Sequence, residues 1–190
     1  MQHKGTLELD TDRLALRKFR NNDAQTMFQN WASDPSVTRY LHWSAHKKIE
    51  ETQQIIDMWC GCYSDKKFYQ WAITLKDSDM LIGSISVVRI DEDVSECEIG
   101  YCIGKQWWSQ GITTEACKKV VQFLFDQVGA NRISAKHCVE NIASGKVMQK
   151  CGMKYEGTLR QATITGAEEI CDLAIYSVLR KDILSENTSI

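Results

Sequence analysis

The chain has 190 residues, of which 43% are hydrophobic and 25% are charged, and its formal net charge is −2. This length and apolar content exclude disordered and collagen-like classes and are enough for a buried core without a disulfide or metal staple. The near-neutral charge excludes a strongly basic surface, so we expect a soluble protein of one domain, residues 1–190, that binds neither nucleic acid nor a membrane.

The N-terminal third is predicted to contain one strand and two helices. Alternation of apolar and polar residues favours a strand at residues 14–19, and polar residues after it can cap a short helix. That helix is expected to end before Pro35, because the residue before a proline disfavours helical geometry. Apolar residues at helical spacing then predict a second helix over residues 45–63, capped by Ser44.

Three segments rich in β-branched and aromatic residues follow, at residues 68–75, 80–90 and 96–103. The connections between them are short and polar, which is typical of turns. Consecutive strands joined by short turns pair antiparallel, so these three segments predict a meander.

The C-terminal half alternates predicted helices and strands. They comprise a helix at 114–128 ended by Gly129, a strand at 132–139, a short helix at 143–151 closed by Gly152, and strands at 153–160 and 169–179. The whole order predicts a mixed α/β fold, with an antiparallel N-terminal part and a helical crossover in the C-terminal part.

The eight cysteines are not spaced like a metal site. The closest pair, Cys60 and Cys62, has one residue between its members, and His42 and His46 have no cysteine pair beside them. The first residues lack the apolar run of a signal peptide, and no segment approaches about eighteen consecutive apolar residues. We therefore expect no bound metal, a reducing cytoplasmic location and eight free thiols.

A loop that contains Gly111 leads directly into the predicted helix at residue 114. Glycine allows the backbone to approach a ligand closely, and free N–H groups at a helix start attract phosphate oxygens. An ordinary strand-to-helix turn capped by Thr113 or Thr114 explains the same residues. The P-loop string and the Rossmann glycine fingerprint are both absent, so neither of those modes supplies a phosphate site.

Five short segments carry a further pattern. They read TDRLALR at residues 11–17, EIGY at 98–101, WSQGITTEA at 108–116, NIAS at 141–144 and KCGMKYEG at 150–157. In order and spacing they resemble motifs of the GNAT superfamily of N-acetyltransferases, in particular the branch that acetylates ribosomal-protein N-termini. The similarity spans about residues 9–183 and implies a single N-acetyltransferase domain. It also implies a mostly antiparallel central sheet, flanked by helices and splayed between its fourth and fifth strands.

The resemblance implies that acetyl-CoA is the cosubstrate and binds in the opening of the sheet. Its pantetheine arm would pair with the strand around Cys102 and Ile103, and Asn141 would hold the pantetheine amide, cap the following helix, or do both. Ser109 and Thr113 replace small residues of the family pattern, and we expect binding to persist because backbone donors survive both changes. The pyrophosphate would accept hydrogen bonds from the loop backbone at Gln110, Gly111, Ile112, Thr113 and Thr114.

The implied reaction is direct attack of a primary amine on the acetyl thioester, which needs a base for the ammonium and an acid for the leaving thiolate. Glu98 is the candidate base, acting through water, unless it is one of several acids on a solvated strand face. Many family members place a tyrosine acid where this chain has Met148, so the candidate acid is Ser144; a first-turn serine bonded to backbone is the alternative. A backbone N–H near Cys102 or Ile103 would meet the oxyanion.

Proton arithmetic favours an acceptor amine of low pKa. At pH 7 about one-sixth of an α-amino group is neutral, against roughly one in 2,500 of a lysine side chain. We therefore predict transfer to a protein N-terminus such as that of a ribosomal protein. The alternatives are a small-molecule amine or antibiotic as acceptor, and a non-catalytic acyl-CoA-binding module. A monomer and a homodimer both fit the family. The acceptor cleft is expected near Tyr40, Leu41, His42 and Trp43.

Three cysteines lie on the strands next to the expected thioester. Cys97 and Cys102 flank Glu98, and Cys138 ends the facing strand. If these three are exposed, we expect a thiol reagent to reach them with loss of activity, and bound coenzyme to protect them. Chelators are expected to have no effect.

Overall fold

Eight strands form one sheet in the structure, a computed structural model that describes residues 1–186. The strands are β1 (Leu9–Asp10), β2 (Leu14–Arg17), β3 (Gln70–Leu75), β4 (Leu81–Asp91), β5 (Glu96–Ile103), β6 (Arg132–Cys138), β7 (Lys154–Ile164) and β8 (Ile170–Leu179). Their order is β1-β2-β3-β4-β5-β6-β8-β7, and every neighbouring pair is antiparallel except β5 with β6. This mixed, mostly antiparallel sheet confirms the predicted fold class.

The α-helices of the described residues are named in chain order. They are α1 (Ala24–Met27), α2 (Pro35–Thr38), α3 (Ile49–Cys62), α4 (Ile112–Phe123), α5 (Ile142–Lys150) and α6 (Arg180–Glu186). Turns of π-helix continue α1 to Ala32 and α4 to Val128, where Gly129 takes a φ of +81° and ends the helix as predicted. No helix within residues 1–186 is both long enough and apolar enough to cross a membrane.

Hydrophobic side chains on the two faces of the sheet form two clusters. Trp71 and Ile73 of β3 pack in the cluster that contains α4, whereas Ala72 between them packs in the cluster that contains α1. Successive side chains of a strand point to opposite faces, so helices cover the sheet on both sides.

The predicted meander is confirmed at β3, β4 and β5, and β5 has the predicted bounds. The start of the second predicted helix is wrong, because α3 begins at Ile49 rather than at residue 45. Ser44 does not cap it; the Ser44 hydroxyl instead donates a hydrogen bond to the Gly166 carbonyl at 2.9 Å. A contact between distant parts of the chain therefore replaces the expected local one.

Three short elements were not predicted from the sequence. Pro35 begins α2, and the Asp34 side chain caps this helix by accepting a hydrogen bond from the Ser36 N–H at 2.8 Å. The other two are β1, with two residues, and α6, which directly follows β8. Elements this short contain too few residues for a periodic hydrophobic signal.

The parallel strands β5 and β6 pair only at their first residues. Their register joins Glu96 to Arg132 and Glu98 to Ser134, and no pair follows beyond Glu98. On its other edge β5 stays paired with β4 as far as Ile103. The sheet therefore opens between β5 and β6, which are the fourth and fifth strands of the sequence prediction, and the predicted splay is confirmed.

Two of the eight cysteines are joined in a disulfide, so the expectation of eight free thiols is wrong. Cys138 ends β6 and Cys171 lies near the start of β8; their Cα atoms are 5.8 Å apart and their sequence separation is 33. The antiparallel pairing of β6 with β8 brings these two residues together. The other six cysteines are free.

Two of the three cysteines expected to react with a thiol reagent if exposed, Cys97 and Cys138, are buried in the structure. Cys138 is in the disulfide, and Cys97 is fully buried, which raises the pKa of its thiol to about 11. Cys102 is half-buried, and burial also raises the pKa of its thiol. Cys102 is therefore the one member of the three that has a free thiol and is not fully buried as a residue.

Candidate active site

A cavity of about 570 Å³ lies between the end of β5, the loop before α4 and the start of α5. We call it the loop cavity. Gln110 is not among its lining residues, and the Gln110 carbonyl accepts a hydrogen bond from Arg13 Nη1 at 3.1 Å. The residues that line it include seven of those predicted to bind the coenzyme: Cys102, Ile103, Gly111, Ile112, Thr113, Thr114 and Asn141.

The loop before α4 ends in a free helix N-terminus. Gly111 precedes the helix with a φ of +75°, and α4 begins at Ile112, two residues earlier than predicted. No side chain caps this end, so the simpler interpretation with Thr113 or Thr114 as a cap is wrong. The Glu115 N–H makes the first helical hydrogen bond, to the Gly111 carbonyl at 3.0 Å. The N–H groups before Glu115 therefore precede the helical ladder and suit phosphate oxygens.

The same loop contains a second residue with a positive φ. Ser109 has a φ of 60°, a backbone region in which a non-glycine residue is disfavoured by roughly 1–2 kcal/mol. Ser109 replaces a small residue of the family pattern, so the loop of this chain adopts its conformation at this cost in backbone free energy.

Glu115 ties the loop to the N-terminal strands. Its carboxylate accepts hydrogen bonds from the Thr11 hydroxyl at 2.6 Å and from Arg13 Nε at 2.7 Å. Burial opposes ionisation, yet these bonds and the Arg13 charge hold the pKa of Glu115 below its usual value. Two sequence motifs about a hundred residues apart, at residues 11–17 and 108–116, thus form one structural unit.

A second cavity, of about 610 Å³, lies on the other side of the β5 end. We call it the aromatic cavity, because its wall includes several aromatic side chains. All four residues expected near the acceptor cleft, Tyr40, Leu41, His42 and Trp43, line it. Trp31 and Trp59, which were not among the predicted residues, line it as well.

The two cavities meet at the end of β5 and the start of α5. We call this shared part of the two linings the junction. Glu98 lies outside the junction, on the wall of the aromatic cavity alone. The six residues that line both cavities are Tyr40, Leu41, Tyr101, Cys102, Asn141 and Ser144.

Two cations hold the Glu98 side chain. Its Oε2 atom lies 2.9 Å from Lys136 Nζ and 3.4 Å from Arg89 Nε, and the side chain is 13% exposed. Glu98 therefore does not lie on a freely solvated acidic face, which was the alternative interpretation. The carboxylate is held in a defined position on the wall of the aromatic cavity.

Hydrogen bonds hold the start of α5 at the junction. Asn141 Oδ1 accepts from the Ser144 N–H at 3.3 Å and caps the helix, and the Tyr101 hydroxyl donates to the Ser144 carbonyl at 3.1 Å. Burial raises the pKa of Tyr101, so this hydroxyl keeps its proton. Within the described residues, the Ser144 hydroxyl itself makes no hydrogen bond, so it is free to act toward a ligand.

Two residues of this region were missed by the sequence analysis. Tyr101 is the last residue of the EIGY segment, so the family resemblance includes this tyrosine but does not indicate its role. His137 lines the aromatic cavity; its Nδ1 donates to the Cys138 carbonyl at 2.7 Å, and its Nε2 is buried without a partner. The ring lies against Gly145, where a Cβ atom would come within 2.8 Å of Nε2. Nothing in the local sequence marks His137 for this position.

Comparison with known proteins identifies the family and the fold. Residues 13–154 match the family described as an acetyltransferase (GNAT) domain. The chain belongs to this GNAT family. Among its relatives is YoaA of Bacillus subtilis, an uncharacterized N-acetyltransferase that is 33% identical over 172 residues, 90% of this chain and 96% of YoaA. The prediction of an acetyl-CoA-dependent N-acetyltransferase is confirmed.

Two solved structures illustrate the range of this GNAT fold. RimL, a ribosomal α-N-protein acetyltransferase in complex with coenzyme A, has a TM-score of 0.81 at 18% identity and covers 91% of this chain and 98% of its own. The microcin self-immunity acetyltransferase MccE, in complex with acetyl-CoA and AMP, has a TM-score of 0.79 at 24% identity and covers 89% and 93%. At these identities the two structures support the fold alone.

Replacing Arg13 by alanine is expected to weaken coenzyme binding to this GNAT protein about fivefold, with little change in kcat. The change removes the ion pair to Glu115 and the bond to the Gln110 carbonyl, which together position the loop; such partly exposed contacts contribute about 1 kcal/mol. The dissociation constant for coenzyme A, measured by calorimetry, checks this. Arg20→Ala is the matched control, because Arg20 is an exposed arginine paired with Asp79. Equal affinities of wild type and Arg13→Ala would contradict the expectation.

The tip of the β7–β8 hairpin covers the aromatic cavity. The Gly166 N–H donates to the Leu41 carbonyl, the Ser44 hydroxyl donates to the Gly166 carbonyl, and Thr163 and Ile164 of β7 line the cavity below. We call this contact between the tip and the loop at residues 38–44 the roof. A Cβ atom on residue 166 would lie 2.1 Å from the Trp43 carbonyl oxygen, so the roof needs a glycine there.

Gly166→Ala is therefore expected to open the roof and raise the KM for the acceptor amine about tenfold, because the misplaced tip no longer helps to orient the acceptor. Steady-state kinetics at saturating acetyl-CoA measure the effect. Gly61→Ala serves as control, since no atom lies within 4 Å of a Cβ built on Gly61 in α3. An acceptor KM that is the same in Gly166→Ala and Gly61→Ala would show that the roof does not contribute to acceptor binding.

Proposed function

We propose that this acetyltransferase transfers the acetyl group of acetyl-CoA to the α-amino group of a protein N-terminus, such as that of a ribosomal protein, in the cytoplasm. The observation that carries the proposal is the junction of the two cavities beneath the roof. In this proposal the acceptor reaches the junction end-on through the aromatic cavity, as the first residue of a peptide can. The likeness to RimL, whose name refers to a ribosomal protein, supports the same class of acceptor.

The residues at the junction, together with Glu98 on the wall of the aromatic cavity, suit the three tasks of the proposed reaction. Acetyl-CoA supplies the thioester, with its pyrophosphate on the N–H groups that precede Glu115 and its pantetheine along the open edge of β5. Glu98 accepts the ammonium proton through water, and the amine nitrogen bonds to the acetyl carbon. A backbone N–H near Cys102 or Ile103 stabilises the oxyanion. As the carbon–sulfur bond breaks, the Ser144 hydroxyl gives its proton to the thiolate and takes up the proton that the attacking nitrogen loses when the amide forms.

A small-molecule amine is the second candidate acceptor. The aromatic cavity, at about 610 Å³, has a size and an aromatic wall that suit a drug-sized molecule. The likeness to MccE, whose name refers to microcin self-immunity, points the same way.

An amine panel distinguishes these functions. The protein is incubated with acetyl-CoA and three groups of acceptors: peptides with ribosomal-protein N-termini, the same peptides with a blocked N-terminus and an internal lysine, and small amines. Release of the coenzyme thiol and the mass of each product are measured. We expect acetylation of the free N-termini with kcat/KM at least about tenfold above the other groups.

Each other result would overturn this proposal. Preference for small amines would establish the second candidate instead. Coenzyme binding without thiol release on any amine would indicate a non-catalytic acyl-CoA-binding module.

A further inference from the structure

Three side chains of types that bind metals lie together at the turn between β6 and α5, two of them joined in the disulfide. They belong to Cys138, Glu140 and Cys171, and their ligand atoms all lie within 4.8 Å of one another. Cys138 lines the aromatic cavity and Glu140 lines the loop cavity, so this cluster lies beside both. No short sequence motif contains the three, because Cys171 is 33 residues from Cys138.

Reduction of the disulfide would leave the two cysteines as neighbours. A dithiol or phosphine reductant breaks the sulfur–sulfur bond, is itself oxidised, and leaves two protonated thiols. The backbones cannot separate freely, because β6 and β8 stay paired from Arg132 with Leu179 to Cys138 with Leu173. The Cα separation of 5.8 Å also leaves room for one ion between two sulfur atoms about 2.3 Å from it.

We propose that the reduced protein binds one zinc ion through the Cys138 and Cys171 sulfur atoms and the Glu140 carboxylate. Binding releases the two thiol protons, so two thiolates and one carboxylate surround the ion and a water completes the tetrahedron. Thiolate ligands favour zinc over magnesium or calcium, which take oxygen ligands. This site departs from the expectation of no bound metal, which rested on sequence spacing alone.

The site would link the redox state of these cysteines and the binding of zinc to the position of the hairpin tip beside the aromatic cavity. β8 carries one arm of the hairpin whose tip forms the roof, and Cys171 lies near the tip end of that strand. The disulfide joins this arm to β6 in the oxidised protein, and the zinc ion joins it to β6 in the reduced protein. The reduced, metal-free protein has neither link.

Zinc content of the full chain tests the proposal without any use of acetyltransferase activity. Metal-free protein is divided, one part reduced with a phosphine and one part oxidised with diamide; both are equilibrated with zinc chloride and gel-filtered. We expect one zinc ion per chain in the reduced part and less than about a tenth of an ion in the oxidised part. Competition with a chromophoric chelator then gives the affinity.

Variants separate this site from the other thiols. Cys138→Ser and Cys171→Ser are expected to abolish zinc binding by the reduced protein, and Glu140→Gln to weaken it at least about tenfold. Cys62→Ser, which changes a half-buried free cysteine elsewhere, is expected to bind zinc like wild type. Glu140 is exposed, so its variant keeps the test decisive if a cysteine variant fails to fold.

Three results would overturn the proposal. The first is reduced wild type that retains no zinc, and the second is oxidised protein that retains as much as reduced protein. The third is unchanged zinc affinity in Glu140→Gln together with undiminished zinc content in any folded cysteine variant.

Discussion

Replacing Glu98 by glutamine is expected to lower kcat about a hundredfold near pH 6.5, the range typical for loss of a general base. Glutamine keeps the size of the side chain and can still orient a water, but it cannot take the ammonium proton. Above the pKa of an α-amino group, near 7.7, most of the acceptor is already neutral. The defect is therefore expected to shrink as the pH rises, and a pH profile of kcat for both proteins measures this.

Asp91→Asn is the matched control for Glu98→Gln. Asp91 is paired with the same Arg89, at 3.6 Å, but it lines neither cavity. Its variant therefore changes the local charge without touching the proposed proton path. If the pH profile of Glu98→Gln runs parallel to that of wild type, Glu98 is a structural ion-pair residue and not the base.

Ser144→Ala is expected to lower kcat at least about tenfold while the affinity for coenzyme A stays within about twofold. The proposed role of the Ser144 hydroxyl is to protonate the leaving thiolate, and a thiolate leaves more readily than stronger bases, so the loss is smaller than for Glu98. The backbone of Ser144, which is held by Asn141 and Tyr101, is unchanged by this substitution. Single-turnover kinetics and calorimetry with coenzyme A measure the two quantities.

Two further variants decide whether the Ser144 hydroxyl matters. Ser144→Thr keeps a hydroxyl and is expected to recover part of the lost rate, which a purely structural role of the side chain would not produce. Ser78→Ala removes a serine hydroxyl from the turn between β3 and β4, outside both cavities, and is expected to leave kcat unaltered. An unchanged kcat in Ser144→Ala would leave Ser144 with a structural role only, through its backbone contacts with Asn141 and Tyr101.

The loop before α4 and the strand β5 were predictable because their signals are local. The strand at residues 96–103 has the predicted bounds, since its β-rich residues are flanked by short polar turns. The start of α4 was predicted two residues too late. The helix begins directly after Gly111, which has a positive φ, and no side chain caps this end. The start of α3 was misplaced for another reason: Ser44 bonds to Gly166, which is 122 residues away.

The sequence by itself determined the family, the glycine loop that leads into α4 and the positions of most strands along the chain. These features depend on motif spacing, hydrophobic period and backbone hydrogen bonds between nearby residues. Only the tertiary structure decided which distant side chains meet: Lys136 with Glu98, Glu115 with Arg13, and Cys138 with Cys171. The physical reason is that such contacts follow from strand register and helix packing, and a shift of one residue in a strand turns each of its side chains to the other face of the sheet.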